Sequence, residues 1–193
     1  MLQERGVFLD HTTIFRWVIR FTPFLMSVFE KKKKPVSGRW RMDETYVKVN
    51  GKDRYLYRAV DKEGQTVEFL LTSRRDHKAA CRFLEKAMKN CKAPTLINID
   101  QSGANTAGIK DYNVENEARV ELRQCKYLNN VVEQDHRNIK RRIRLMLGFK
   151  SFWTARVVLA GIELVHMLKK NQLKTPKKYF AMSFADQFYS LAA

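Results

Sequence analysis

Residues 40–49 alternate in the manner of an extended strand: Trp40, Met42, Glu44 and Tyr46 fall on one face, and Arg41, Asp43, Thr45 and Val47 on the other. Asn50-Gly51 follows, and both residues tolerate positive φ, so the pattern predicts a hairpin with a second strand over 52–61. In that second run Leu56, Tyr57, Ala59 and Val60 make both faces apolar, as in a central strand. Asp43 therefore stands mid-strand beside a buried neighbour, where an unpaired aspartate is costly. A turn at Asp61-Lys62-Glu63-Gly64 and the short run 65–71 predict a third strand and an antiparallel meander. Helical periodicity then takes over. Asp76 can cap a helix over 78–90 whose stripe is Ala80, Phe83, Leu84 and Ala87. Residues 95–99 form a fourth strand, with Asp100 at its carboxyl end, where open α/β sheets place ligands.

Beyond Asp100 the chain reads as a loop or short helix to Tyr112, then a last strand near 118–122. A long helix from about 132 to 147 is closed by Gly148, and another spans 152–168 with Val158, Leu159, Ile162 and Val165 inward. Three antiparallel strands, a helix, a strand, a further short strand and helices make an α/β order. It is that of a ribonuclease H-like, retroviral integrase-like domain with a mixed five-stranded sheet and flanking helices. Ahead of it, residues 1–5 read as the end of one helix broken at Gly6. A second helix, capped by Asp10 or Thr12, runs to about Phe21 before Pro23. Ile14, Trp17, Val18 and Phe21 are its apolar stripe; Arg16 and Arg20 lie on the open side, as in a recognition helix. The expected organisation is a partial helix-turn-helix over 1–24, a basic linker over 25–38 that includes the run Lys31–Lys34, a catalytic domain over 39–170 and a tail over 171–193.

Charge narrows the partners. The 193 residues carry 37 Lys+Arg against 20 Asp+Glu, a net +17, which predicts a polyanion and places nucleic acid first. No apolar run approaches the roughly 18 residues that span a bilayer, which excludes a membrane partner of that kind. The mixed, charged first 20 residues predict no signal peptide, so a cytoplasmic location is expected. Cys81, Cys91 and Cys125 show no CxxC spacing; they predict reduced, free thiols and argue against a zinc or disulfide framework.

The helix after Val132 completes a candidate site. At about 100° per residue, Arg137, Lys140 and Arg144 fall within about 40° of Glu133, while Ile139, Ile143 and Met146 turn the other way. Glu133 and Arg137 at i,i+4 would also suit an ordinary surface salt bridge. A glutamate leading three bases along one face equally suits a metal ligand beside a phosphate track. Asp43, Asp100 and Glu133 are the candidate ligands and catalytic residues for two Mg²⁺ ions, with Mn²⁺ as substitute, because hard cations take carboxylate oxygens. Asp135 and His136 share the Glu133 face less well, and Glu44 points to the sheet face opposite Asp43.

Met42-Asp43-Glu44-Thr45-Tyr46-Val47-Lys48-Val49, Tyr55-Leu56-Tyr57-Arg58-Ala59-Val60-Asp61, Asn129-Asn130-Val131-Val132-Glu133-Gln134-Asp135-His136, and Leu147-Gly148-Phe149-Lys150-Ser151 together resemble the DDE transposases of bacterial insertion sequences, closest to the IS-six family. Residues 10–18 resemble that family's helix-turn-helix region. The resemblance covers about residues 5–170. It implies metal-dependent DNA cleavage and strand transfer in transposition, with Asp43, Asp100 and Glu133 as the triad. Lys140 would be the basic residue that follows the glutamate and contacts DNA; Arg137, Arg141 and Arg144 on the same helix are further candidate DNA contacts. It further implies transposon ends and target DNA as partners, a homo-oligomer, and a bacterial, nucleoid-associated protein. The interval from Asp100 to Glu133 is slightly short for the family, which implies a deletion between Gly103 and Arg119. The family's first DNA-binding helices are expected to precede the position of Met1, so an amino-terminally truncated chain is expected. The alternative function is a non-catalytic DNA-binding remnant of such a transposase, and a third reading is a structure-selective nuclease on the same fold.

Overall fold

The computed structural model of the chain describes residues 6, 8–100, 102–174 and 182–192. The helix end expected over residues 1–5 lies outside them. Two units are distinguished, one of residues 35–150 and one of the flanking residues up to 34 and from 151 on.

The 35–150 unit is built on the predicted hairpin. Strands β1 (Arg39–Val49) and β2 (Lys52–Asp61) pair antiparallel from Trp40–Asp61 to Val49–Lys52. Asn50 (φ 51°) and Gly51 (φ 71°) turn the chain, both in the left-handed region that a tight two-residue hairpin requires. β3 (Thr66–Thr72) continues the meander after Asp61, whose carboxylate accepts from the backbone N–H groups of Ser37, Glu63 and Gln65. On the other edge β4 (Leu96–Ile99) runs parallel to β1, and β5 (Glu121–Gln124) parallel to β4. The mixed five-stranded order is β3-β2-β1-β4-β5, as the order of patterns predicted.

One face is covered by α2 (His77–Asn90) and α3 (Gly103–Glu115), the other by α4 (Asn130–Arg144), which packs on β1 and β2. Asp76 caps α2 through Ala79 N–H at 2.8 Å, and Ala80, Phe83, Leu84 and Ala87 are fully buried, as their spacing predicts. They join Trp40, Met42, Tyr57, Ala59, Ile97 and Ile99 in one core. Strand β1 changes its buried side along its length. Trp40 and Met42 are buried on the α2–α3 face, then Thr45, Val47 and Val49 on the opposite one. Asp43 and Glu44 stand where the cover changes over.

Three elements depart from the sequence reading. The segment after Asp100, read as a loop or short helix, is a 13-residue helix, because Asn105, Gly108 and Ile109 pack it on α2 without an extended apolar stripe. The last strand begins at Glu121, later than expected, because the Asn113 side chain brackets Val120 as a strand would, accepting from its N–H and donating to its carbonyl. Helix α4 ends at Arg144, leaving Met146 half exposed rather than inward. Leu147 and Gly148 take positive φ, and Phe149 returns to pair with Val49.

In the other unit, α1 (His11–Lys32) runs straight through Pro23 and through most of the expected linker. An interior proline costs about 3 kcal/mol. Burial of Thr22, Met26 and Phe29, and packing on α5 (Phe152–Lys169), offset that penalty. Gly161 in α5 permits the approach: a Cβ there would lie 3.1 Å from Thr22 Oγ1. The lysine run is likewise ordered rather than a loose linker. Lys33 bridges to Leu173, Lys34 N–H donates to the Gln172 carbonyl at 2.7 Å, and Lys174 N–H to that of Lys32 at 2.8 Å. The predicted stripe of Ile14, Trp17, Val18 and Phe21 is exposed, since periodicity reports an apolar side without saying what covers it. Within the tail, Ser183 and Asp186 form a capping box at the start of α6 (Phe184–Tyr189).

Candidate active site

Asp43 and Asp100 come from neighbouring parallel strands. The last bridged pair is Arg41–Asn98; Asp43 lies two residues further along β1, and Asp100 two residues past Asn98, just beyond the end of β4. Helix α4 supplies the third group. His136, buried on its inner side, brings Nε2 to 3.4 Å from Asp43 Oδ2. Glu133 precedes it by three residues, about 4.5 Å along the axis and about 60° around it, and is exposed where His136 is buried.

These carboxylates are loosely engaged. The basic side chains nearest Asp43 and Asp100 stand at 3.4 Å (the His136 ring) and 4.0 Å (Arg75), beyond good hydrogen-bond distance, while Asp100 Oδ1 accepts from Ser102 N–H at 3.1 Å. Glu133 is exposed and makes no side-chain hydrogen bond or ion pair among the described residues, so the i,i+4 bridge to Arg137 is not formed. An all-oxygen donor set with unused lone pairs suits a hard divalent cation.

Glu44 behaves differently from its neighbour. Its carboxylate lies on the α2–α3 side, paired with Arg75 and accepting from Asn105 Nδ2 at 2.9 Å. Burial pushes its carboxyl above the usual range, and the Asp43 and Asp100 charges push the same way against Asn105 and Arg75. Arg75 thus links Glu44 to Asp100. Sequence reasoning did not single out Arg75 or Asn105, because neither has a spacing that marks it.

Two buried polar links fix α4 against the sheet. Asn98 Nδ2 donates to Asn129 Oδ1 (2.6 Å) and to the Cys125 carbonyl (2.9 Å), and Asn129 Nδ2 donates to the Met42 carbonyl (3.3 Å). One turn further on, Asp135 accepts from Arg58 Nη2 at 2.7 Å, the arginine being fully buried in β2. An asparagine within Leu96-Ile97-Asn98-Ile99 and an arginine within a doubly apolar strand were the available signals. On the outer side of α4, Arg137, Lys140, Arg141 and Arg144 line a groove of about 1080 Å³ with Tyr46 and Lys48 of β1. In the other unit Arg16 and Arg20 are exposed on α1, and Arg20 lies 5.6 Å over the Phe21 ring.

A family profile described as a DDE domain matches residues 37–172. The chain is 37% identical over 183 residues to the transposase for insertion sequence-like element IS431mec of Staphylococcus aureus, covering 93% of this chain and 79% of that one. It is 36% identical, with the same coverage, to the transposase for insertion sequence element IS257 in transposon Tn4003 of that organism. This chain belongs to the DDE transposases of bacterial insertion sequences. The catalytic core domain of BIV integrase superimposes with a TM-score of 0.52 at 17% identity, over 80% of the transposase and 95% of that domain. That likeness establishes the ribonuclease H-like fold expected from the element order. No helix among the described residues of the transposase is long and apolar enough to cross a membrane.

Proposed function

We propose that this transposase cuts DNA at element ends and joins the freed 3′-hydroxyl to a target strand, using Asp43, Asp100 and Glu133. The observation that supports the reading is that Asp43 in β1 and Asp100, just past the parallel neighbour β4, both have loosely held oxygens. The three carboxylates would hold Mg²⁺, or Mn²⁺, as two ions. Bound there, divalent ions activate an attacking hydroxyl and stabilise the leaving oxygen of an in-line displacement. Glu44, tied to Arg75 and Asn105, stays out of that set. Arg137, Lys140, Arg141 and Arg144 hold the phosphate backbone along the groove and so orient the scissile strand, and Arg16 and Arg20 give further DNA contacts. The working form is a homo-oligomer on paired ends.

The test incubates the full chain with labelled element-end DNA in Mg²⁺ or Mn²⁺ and in EDTA. Asp43→Ala and Glu133→Gln should each lower cleavage by at least about 10³-fold, the scale set by losing one transition-state charge stabiliser. DNA binding and circular dichroism should be unchanged. Cleavage at the wild-type rate, or unfolding of both variants, overturns the assignment. Binding without any cleavage in the wild type would favour the non-catalytic remnant.

A further inference from the structure

Helices α2 and α3 meet at a second cluster of metal-ligating side chains. His77 and Cys81 are four residues apart in α2 and so share a face. Asp111 reaches them from α3. His77 Nε2 lies 3.4 Å from Cys81 Sγ and 2.5 Å from Asp111 Oδ2, and one donor atom from each residue lies within 4.8 Å of the other two. Gly108 makes the approach possible: a Cβ there would lie 2.9 Å from Ala80 Cβ and 3.4 Å from Cys81 N.

This is not the geometry of a cysteine nucleophile. A general-base histidine gives one ring nitrogen to the nucleophile and the other to the carboxylate. Here sulfur and carboxylate converge on the same nitrogen. Burial, then the carboxylates of Asp111, Glu115 and Glu85, push the Cys81 thiol up, away from a free thiolate. Bonds of about 2.0–2.3 Å to a tetrahedral zinc set neighbouring donors about 3.3–3.7 Å apart. The His77–Cys81 spacing already matches, and the His77–Asp111 contact needs to open by about 1 Å. The His77 and Asp111 side chains are 43% and 49% exposed, which leaves an entry path and room for water.

We propose that His77, Cys81 and Asp111 bind one zinc-class divalent cation, with water as fourth ligand, and clip α2 to α3. Sulfur and imidazole donors select such an ion over the hard cations suited to the all-carboxylate triad. Binding releases the Cys81 proton to solvent. The clip has a purpose within this unit. Arg75, two residues before His77, and Asn105, on the same helix as Asp111, are the two groups that hold Glu44 beside Asp43. The spacing rules that argued against zinc miss the site because its third donor lies on another helix, 30 positions beyond Cys81.

The probe is Co²⁺, then Zn²⁺, added to the full chain carrying Asp43→Ala and Glu133→Gln, so that the triad does not contribute. One equivalent of Co²⁺ should give a thiolate-to-cobalt charge-transfer band and tetrahedral visible absorption, both displaced by Zn²⁺. Cys81→Ser should remove the band and weaken Zn²⁺ binding by at least about 100-fold, the upper end for losing even an outer-shell partner. Cys91→Ser should leave the band intact. His77→Gln, at a half-exposed position, gives the same reading should Cys81→Ser fail to fold. Absence of the band, its survival in Cys81→Ser or His77→Gln, or Zn²⁺ affinity unchanged in either variant overturns the proposal.

Discussion

Breaking the Arg58–Asp135 pair tests how α4 is held to the sheet. The Arg58 side chain is fully buried and that of Asp135 is 9% exposed, with Nη2 and Oδ2 2.7 Å apart. Removing one partner of such a pair leaves an uncompensated buried charge and costs about 3–5 kcal/mol. Desolvation of both groups offsets most of the attraction, so an apolar replacement of both is expected to be nearly neutral. Asp135→Ala should therefore lower the unfolding free energy by about 3–5 kcal/mol, a large part of the roughly 5–15 kcal/mol typical of a domain. Arg58→Met with Asp135→Leu should recover most of it. Urea unfolding followed by circular dichroism, with the m-value checked for constancy, reads both. A loss below about 1 kcal/mol in Asp135→Ala, or a double variant no better than the single, would show that the pair is solvated and that α4 is held by its apolar side alone.

Further outcomes follow from the same contacts. Gly108→Ala forces a Cβ to 2.9 Å from Ala80 Cβ, so thermal unfolding should show a loss of about 1–3 kcal/mol, relieved by adding Ala80→Gly. Asn129→Ala leaves Asn98 Nδ2 and the Met42 carbonyl short of a partner; a loss of about 1–3 kcal/mol is expected by urea unfolding, with cleavage falling as α4 loosens over Asp43. Replacing Lys140 or Arg144 by alanine should reduce the slope of log binding constant against log salt by about 1 each, measured by fluorescence anisotropy on duplex DNA, whereas Glu85→Gln should leave it unchanged.

What was legible in the sequence follows from the range of the forces involved. The hairpin, the α2 stripe and the buried β2 are set by alternation, periodicity and turn residues within a few positions of each other, and each stands where the pattern put it. Asp43, Asp100 and Glu133 stand out as candidates in the sequence because an acid in a strand, at a strand end or ahead of a basic helix face is locally out of place. Arg75, Asn105, Asn129 and the Arg58–Asp135 pair were not, since each is defined by a partner 25 to 87 positions away, from the Arg75–Asp100 contact to the Asn129–Met42 link. Helix α1 shows the converse limit. Pro23 is a strong local stop signal, and packing on α5, which starts 130 positions beyond Thr22, overrides it.

The change of cover along β1 explains why the carboxylates gather at its middle. A strand covered on one face throughout would alternate apolar and polar to its end, leaving every acid on the solvent side. In β1 the apolar residues switch faces between Met42 and Thr45, so Asp43 and Glu44 are both only partly covered and point opposite ways. Glu44 is then met by Arg75 and Asn105 from the α2–α3 side, whereas the nearest basic side chain to Asp43 is the His136 ring at 3.4 Å. The same crossover that lets two layers of helices pack on one strand therefore leaves one of its two acids satisfied and the other available to a cation.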